Sequence, residues 1–456
     1  MNKANIVKTI DRSLRKLNLI GLIDHGGRAG SNFFCCLFDS HKEVISVPWV
    51  HYNYSYFMDK FRTEHMVNKN DAKFFLCNET YFKYVYNYPK KDSHELIKKI
   101  GGNIYSFKKR KELREIFDIY IDHKEEFSRR DLILLPYICY ALSIKKKLDL
   151  VKYVLINDAA NLRTENIIDN FDGKIVDVII QDFPKAKMIS LARDPRAQYA
   201  SSRHQSVNEF DNNYNLSFKN FFRIFYNLLK EKVDLDSGPA NLSWILYQIE
   251  STRIIHKCKK RYKTNFITIR NEDINLNFIK TMTKLSNWLN ITFFKNWTNN
   301  KYEPTMLGAK WKGTGAYSNS YQKVIDGLLA NDPHEISKTL TGPNKFVTER
   351  WKNRMNKNEI LFLERIFFEE IKSLKYKFSK DLSKLSDLRI FFRYGLVPDI
   401  GEKPTYKWIK SGFKKNTYIF FNRILYFIFF PLLFIICRIK LFKFLVIKKK
   451  FKKVIY

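Results

Sequence analysis

The sequence predicts a three-layer α/β fold, in which a central, mostly parallel sheet is flanked by helices. Four short apolar segments have the character of buried strands, at 17–25, 151–156, 187–192 and 265–269, and helical periodicity occurs between them. Strands that alternate with helices form parallel sheets, and such sheets bind ligands at the carboxyl ends of their strands. We therefore expect the functional residues to lie just after these strands.

The helices are predicted from the spacing of apolar residues. One begins at Phe33, after the first strand, and two amphipathic segments, 217–232 and 241–257, lie between the third and fourth strands. The segment 45–150 is rich in aromatic residues and lacks clear signals for the boundaries of helices or strands, so we interpret it as a mainly helical insertion. A late helix at 358–376 carries its apolar residues on one face, namely Leu363, Ile366, Phe367, Ile371 and Leu374.

The composition is strongly basic. The 456 residues include 81 Lys and Arg against 46 Asp and Glu, which gives a formal net charge of +35. Hydrophobic residues at 45% and aromatic residues at 16% exclude an intrinsically disordered chain. The charge indicates a phosphate or sulfate compound, a nucleic acid or an anionic membrane as partner. A second explanation stays open, because a chain rich in Lys, Asn, Ile, Phe and Tyr together is typical of an AT-rich genome.

The cysteines and the N-terminus predict a reducing, cytoplasmic location. The six cysteines show no C-x-x-C pair and no clustering with histidine, so we expect neither a metal site nor disulfides. The adjacent Cys35 and Cys36 are interpreted as small apolar residues of a packed helix. The first 21 residues lack the continuous apolar stretch and the cleavage site of a signal peptide.

The C-terminal part differs from the rest of the chain. An α/β domain at 1–380 is followed by a basic linker at 381–416 and a basic, aromatic tail at 417–456. Residues 424–437 are uncharged and apolar, but they are fewer than the roughly 20 residues of a spanning helix, and Pro431 interrupts them. Lysine and arginine flank this run on both sides, which favours an anchor on an anionic membrane surface. A buried pair of C-terminal helices is the alternative.

A glycine-rich loop follows the first strand and leads into a helix. Residues 26–32 read Gly-Gly-Arg-Ala-Gly-Ser-Asn, with Arg28 and Ser31 inside the loop. Backbone N–H groups at the start of a helix and the positive end of its dipole favour phosphate. The loop lacks the Gly-Lys-Ser/Thr sequence of a Walker A motif, which disfavours an ordinary P-loop kinase or ATPase. A purely structural turn is the alternative.

A second candidate site follows the strand at 187–192. This strand leads into Arg193-Asp194-Pro195-Arg196, and Ser201 lies eight residues after Arg193. An arginine at a strand end and a serine two turns into the next helix can together hold one dianionic phosphate. Surface arginines that cap the edge of the sheet are the alternative interpretation.

Together, the two motifs resemble those of the sulfotransferase family that uses 3′-phosphoadenosine-5′-phosphosulfate (PAPS). Gly27-Arg28-Ala29-Gly30-Ser31-Asn32-Phe33 is similar to the 5′-phosphosulfate loop of that family, and the interval from Arg193 to Ser201 is similar to its 3′-phosphate motif. Lys312-Gly313-Thr314-Gly315 resembles its closing loop. The resemblance extends discontinuously over residues 17–376 and implies a P-loop-like three-layer fold.

The resemblance also implies the reaction and the roles of the residues. A sulfuryl group would pass in line from PAPS to a hydroxyl or amine of the acceptor, with no metal. Arg28 would stabilise charge on the leaving phosphate, and the loop from Gly27 to Asn32, with Ser31, would orient the phosphosulfate. The 3′-phosphate would be recognised by Arg193 and Ser201, and the nucleotide would be covered by Lys312 and Gly313.

The chain departs from the family pattern in ways that leave the catalytic base open. Ala29 and Asn32 stand where the family commonly has serine and threonine, although Asn32 can still donate a hydrogen bond. Family members often carry lysine where this chain has Asn157 and Asp158. We nominate His51 as the base, since the ordinary pKa of histidine, about 6.5, suits the task. Asp158 is the second candidate.

Two other functions are compatible with the sequence. A non-catalytic anion- or nucleic-acid-binding protein explains the charge but not the spacing of Arg193 and Ser201. A nucleotide or sugar kinase lacks the loop lysine and a clear magnesium carboxylate. We therefore expect a nucleotide rather than nucleic acid as the bound anion. The membrane-directed tail suggests a glycan, a glycolipid or a lipid-linked acceptor at the cytoplasmic face of a membrane.

Overall fold

The computed structural model describes residues 2–24, 28–51, 53–62, 64–80, 82–86, 107–157, 174–201, 240–299, 302–306, 309–310, 342–379, 386–392, 396, 406–413 and 417–442. The predicted helix at 217–232 lies outside these residues, and so do Gly27, Asp158, Lys312 and Gly313.

A five-stranded parallel sheet lies at the centre of the fold. In spatial order its strands are β2 (Val44–His51), β5 (Tyr153–Asn157), β1 (Asn18–Asp24), β6 (Lys187–Ala192) and β7 (Phe266–Arg270). The central strand β1 pairs with β5 through Asn18 and Tyr153, and with β6 through Ile20 and Lys187. Two short antiparallel pairs lie outside this sheet, β3 (Met66–Asn68) with β4 (Glu126–Ser128) and β8 (Thr305–Met306) with β9 (Ala309–Lys310).

Helices make up most of the remaining described structure. In chain order they are α1 (Lys3–Lys16), α2 (Ser31–Cys36), α3 (Asn53–Phe61), α4 (Lys69–Phe74), α5 (Lys83–Tyr86), α6 (Phe107–His123), α7 (Arg129–Ser143), α8 (Lys174–Asp182), α9 (Ala240–Arg261), α10 (Asn271–Leu276), α11 (Phe278–Leu289), α12 (Lys345–Glu349), α13 (Lys357–Ile366), α14 (Phe368–Ser373), α15 (Asp387–Ile390), α16 (Tyr406–Phe413) and α17 (Thr417–Phe442). Residues 195–201 are also helical. A π-helical turn occupies Phe75–Glu79, and 3₁₀ turns occupy Leu148–Leu150, Lys263–Asn265, Lys295–Thr298 and Arg350–Asn353.

The side chains of the strands alternate between two hydrophobic layers. In β1, Leu19 and Ile23 pack in one cluster, while Ile20 and Leu22 pack in the other. The first cluster joins the sheet to α1, α6, α7, α8 and α9, and the second joins it to α2 and α11. Because both faces are covered, each strand is an almost continuous apolar run, and each buried Leu or Ile stabilises the fold by roughly 1.5–3 kcal/mol.

The predicted α/β class is confirmed. The four predicted strands correspond to β1, β5, β6 and β7, and the predicted helix at 241–257 lies within α9. The late helix at 358–376 forms as two helices, α13 and α14, which meet at Phe367. Cys35 and Cys36 are buried in α2, as the sequence predicts.

One segment differs from the prediction. We predicted mainly helical structure from residue 45 onward, whereas Val44–His51 forms the edge strand β2 of the central sheet. The register against β5 shifts between Ser46 and His51, and Pro48 falls within this irregular stretch. A proline is tolerated at such a position because an edge strand can leave a ladder hydrogen bond unmade. The proline masks the strand pattern in the sequence.

The C-terminal tail begins as a single long helix. The helix α17 spans 26 residues with Pro431 inside it, and Leu441 near its end is fully buried. Leu441 belongs to a third hydrophobic cluster, which also contains Ala197, Trp351 and Leu363. Within the described residues, no helix meets the length and hydropathy needed to cross a membrane. The helix α17 therefore packs against the α/β domain through this cluster.

Candidate active site

The loop after β1 has an unusual backbone. Arg28 has a φ of 57° and Gly30 a φ of 99°, both in the left-handed region. The helix α2 begins directly afterwards, and the Phe34 N–H donates its first helical bond to the Gly30 carbonyl at 2.9 Å. Left-handed backbone at a residue other than glycine or asparagine is uncommon and often marks a functional site. Ser31 and Asn32 form the first turn of α2.

The loop is held by residues that follow two neighbouring strands. Arg193, after β6, donates from Nη1 to the Arg28 carbonyl at 3.0 Å. Asn271, after β7, donates from Nδ2 to the carbonyl of the buried Ala29 at 2.8 Å. Asn271 is held in turn by Asn275, whose amide donates to the Asn271 side-chain oxygen at 3.1 Å. Two successive loop carbonyls are thus fixed by side chains far away in sequence.

The two motifs predicted from the sequence meet in space. The Arg28 Nε donates to the Ser201 Oγ at 3.3 Å, although 173 positions separate these residues. Ser201 is buried at the end of the helical residues 195–201, and Arg28 is half-buried. This contact places the glycine-rich loop and the arginine–serine motif in one site at the carboxyl edge of the sheet.

Positive charge accumulates at this site. Arg193 is 7% exposed, and its Nε has no hydrogen-bond partner in the described part of the chain. Burial lowers the pKa of Arg193; the nearby Glu272 carboxylate opposes that shift, while the like charges of Arg28 and Arg354 add to it. A buried guanidinium with an unpaired N–H and two cationic neighbours fits an anionic ligand. Arg354 was not predicted, because the sequence offers no motif around it.

Arg196 belongs to the same sequence motif as Arg193, but carboxylates bind its guanidinium. It is buried, and it donates to the Asp194 carboxylate at 2.9 and 2.6 Å and to the Glu364 carboxylate. Its guanidinium also lies 4.4 Å from the ring of Trp351. Two carboxylates therefore neutralise Arg196, which joins the end of β6 to α13. We interpret it as a residue that positions the site, without contact to a ligand.

The other half of the sheet edge carries the residues nominated as base. His51 is the last residue of β2 and lies opposite Asn157, the last residue of β5. Asp158 follows Asn157 directly but lies outside the described residues. The sheet thus brings His51 beside the strand end that leads into Asp158. Across the residues that the structure covers, no cluster of His, Cys, Asp and Glu could hold a metal ion.

Two buried amides near His51 were not predicted from the sequence. Asn53 begins α3, two residues after β2, and is 2% exposed; neither its Oδ1 nor its Nδ2 has a hydrogen-bond partner within the described residues. Asn157 is 5% exposed, and its Oδ1 is likewise unpaired in that part of the chain. Buried polar atoms without partners are rare and call for an explanation, and a polar ligand supplies one. The sequence alone does not show that Asn53 and Asn157 are buried, because their burial depends on the fold.

Replacing Gly30 with alanine should weaken the site. An alanine there would have to keep a φ of 99°, and its Cβ would collide with the Asn271 amide nitrogen. We expect a loss of about 1–3 kcal/mol of unfolding free energy, measured with denaturant, together with weaker binding of a phosphorylated ligand. Asn290→Ala is the matched control, because Asn290 also has a positive φ, of 53°, but lies at the end of α11. Equal ligand affinity in Gly30→Ala and the wild type would contradict the assigned loop.

Fold and site together define an α/β protein whose sheet carries a cationic site, suited to a phosphorylated or sulfated anion, at its carboxyl edge. Residues 179–375 match the family model of the sulfotransferase domain. This match supports a sulfotransferase domain over residues 179–375, and with it a transferase enzyme. The matched range includes Arg193, Ser201, Asn271 and Arg354, whereas the loop with Arg28 precedes it and joins the site through the fold.

Two solved structures resemble this chain at low sequence identity. The sulfotransferase domain from the curacin biosynthetic pathway is 14% identical, with a TM-score of 0.40 over 79% of this chain and 98% of that domain. The sulfotransferase domain from the Synechococcus PCC 7002 olefin synthase is 13% identical, with a TM-score of 0.40 over 75% of this chain and 90% of that domain. Among curated proteins, none matches this chain in sequence.

Proposed function

We propose that the protein transfers the sulfuryl group of PAPS to a hydroxyl or amine of a glycan, a glycolipid or a related lipid-linked acceptor. The observation that carries this proposal is the contact of Arg28 with Ser201. It joins a loop suited to a 5′-phosphosulfate with a motif suited to a 3′-phosphate. A donor with anionic groups at both positions fits such a site better than one with a single phosphate does.

The sheet order divides the site into two halves. The residues assigned to the donor follow β1, β6 and β7, while His51, Asn53 and Asn157 lie at the ends of β2 and β5 or just after them. The loop with Arg28 follows β1, which lies between β5 and β6. An acceptor bound beside β2 and β5 would therefore approach the loop from the side opposite β6. This arrangement favours in-line transfer along the edge of the sheet.

In the proposed reaction, the residues near the donor and those near the acceptor have different chemical tasks. When bound, PAPS supplies a sulfuryl group on a phosphate leaving group. Arg28 stabilises the negative charge that develops on that phosphate. His51, or Asp158 in its place, accepts the proton of the attacking hydroxyl or amine. The amide atoms of Asn53 and Asn157 that have no partner within the described residues would hydrogen-bond an acceptor that carries several hydroxyl groups.

The acceptor class is inferred from the tail and the composition. A chain whose basic, apolar C-terminal part is directed to a membrane suits an acceptor carried by a lipid. The cysteine pattern supports the cytoplasmic face. We propose this location together with the acceptor.

Replacing Ser201 with alanine should weaken recognition of the 3′-phosphate. A hydrogen bond to a charged group contributes about 1.5–3 kcal/mol, so we expect affinity for adenosine 3′,5′-bisphosphate to fall about tenfold or more. Titration calorimetry measures this. Adenosine 5′-phosphate is the matched ligand, because it lacks the 3′-phosphate and its affinity should change little. Equal losses for both ligands, or for neither, would contradict the role given to Ser201.

A further inference from the structure

An apolar stripe follows one side of the C-terminal helix α17. Five large side chains on it are between 45% and 61% exposed, namely Phe421, Ile428, Leu432, Ile435 and Ile439. Their spacing of seven, four, three and four residues keeps them on one side of the helix. At about 1.5 Å per residue, the stripe is roughly 27 Å long. We call these five residues the exposed stripe.

The opposite side of α17 is buried in the protein. Arg423 and Arg438 are 3% and 7% exposed, and Leu441 is fully buried. The Arg438 guanidinium lies 4.3 Å from the ring of Phe434. Gly412 of α16 lets Arg423 approach, because a Cβ there would be 2.9 Å from the Arg423 Cδ. The two arginines are thus turned away from the exposed stripe, which keeps it apolar along its length.

Exposed apolar side chains are concentrated in the C-terminal part of the chain. Among the described residues, eight of the sixteen exposed large hydrophobic side chains fall between Phe413 and Ile439. Others, such as Phe74 and Ile279, lie on separate helices. A continuous apolar surface of this kind marks a site of interaction. The surrounding charge is positive, since residues 403–456 contain 14 Lys and Arg and no Asp or Glu.

We propose that α17 lies in the plane of an anionic bilayer, with the exposed stripe in the acyl region and the flanking lysines among the headgroups. The buried side of the helix packs on protein, so lipid can reach it from one side only, as in an interfacial helix. The absence of acidic residues over 403–456 favours anionic lipid over a second copy of this chain, because two such segments would repel each other.

The placement of α17 ties the active site to the bilayer. Leu441 of α17 shares a hydrophobic cluster with Ala197, Tyr199 and Ala200. These three residues belong to the helical segment 195–201 that ends at Ser201. A bilayer-bound α17 would therefore hold the donor site close to the membrane surface. This consequence rests on the proposed function, whereas the binding of α17 to lipid does not.

Vesicle flotation of the full-length protein, without nucleotide, tests the proposal. We expect the wild type to float with vesicles of phosphatidylcholine and phosphatidylglycerol, and more weakly with phosphatidylcholine alone. The Ile428→Glu/Ile435→Glu variant should bind the anionic vesicles about tenfold or more weakly, because it places two charges in the acyl region. The matched control is Phe74→Glu/Ile279→Glu, which changes two exposed apolar residues elsewhere and should bind as the wild type does.

Two results would overturn the proposal. One is equal vesicle binding by the wild type and the stripe variant, with both variants folded by circular dichroism. The other is a wild type that sediments as a dimer and a stripe variant that sediments as a monomer, without a change in vesicle binding, which would assign the stripe to a second copy of the chain. Neither result depends on PAPS, so the failure of this proposal is distinguishable from the failure of the proposed function.

Discussion

Replacing Arg28 with alanine is expected to reduce sulfuryl transfer at least about a hundredfold while the protein stays folded. The reason is the position of the Arg28 side chain, which reaches Ser201 from the loop and is half-buried at the sheet edge. The backbone of Arg28 is held through its carbonyl by Arg193, and alanine keeps that carbonyl. We expect at most about 1 kcal/mol of lost stability, because the new side chain must accept a positive φ.

The control for this prediction is Arg12→Ala. Arg12 is an exposed arginine of α1 that pairs with Asp149 at 3.6 Å; α1 precedes β1, whereas the site follows the carboxyl end of that strand. Its loss should leave both transfer and stability close to the wild type. A rate of transfer in Arg28→Ala equal to that of Arg12→Ala would remove Arg28 from the mechanism. Thermal unfolding of both variants shows that the comparison is between folded proteins.

Replacing Arg196 with alanine is expected to destabilise the protein by about 3–5 kcal/mol. Arg196 is 3% exposed and is the shared partner of two buried carboxylates, Asp194 and Glu364. Its removal leaves both carboxylates buried beside each other without their cation. The same substitution removes the contact with the Trp351 ring. Denaturant unfolding monitored by fluorescence measures the change.

An exposed arginine provides the comparison for Arg196. Arg261 pairs with Asp177 at 2.9 Å, but its side chain is 64% exposed. Arg261→Ala should therefore cost between about 0 and 1 kcal/mol. If Arg196→Ala and Arg261→Ala lost the same stability, the buried ion-pair network would not be a main support of the sheet edge. At low temperature, a measurable fraction of the Arg196→Ala protein should be folded. Binding of adenosine 3′,5′-bisphosphate to that fraction can be tested there.

The sequence was sufficient to predict the fold where hydrophobic periodicity is strong. The strands β1 and β6 are apolar runs buried on both faces, and this pattern identifies them without tertiary information. The edge strand β2 was missed, because Pro48 lies within it and its register against β5 is irregular. Edge strands pair on one side only, so they tolerate residues that hide the pattern.

The site was predicted in part. The spacing from Arg193 to Ser201 and the loop around Arg28 point to one anion site, and the fold brings them into contact. The sequence could not show that Arg196 is neutralised by Glu364, since 168 positions separate the two residues. The sequence could not show the hydrogen bond from Asn271 to the Ala29 carbonyl either, because 242 positions separate these residues. Contacts that depend on several strand ends converging are set by tertiary structure.

The most direct test of the proposed function is the transfer of label from PAPS that carries labelled sulfur. The purified full-length protein is incubated with this donor and a membrane lipid extract, and the labelled product is then separated from the donor and identified. We expect the label to move to a glycan-bearing or lipid-linked component with the wild type and at least about a hundredfold less with Arg28→Ala. Equal labelling of the extract by Arg28→Ala and the wild type, or no labelling by either, would contradict the proposed reaction.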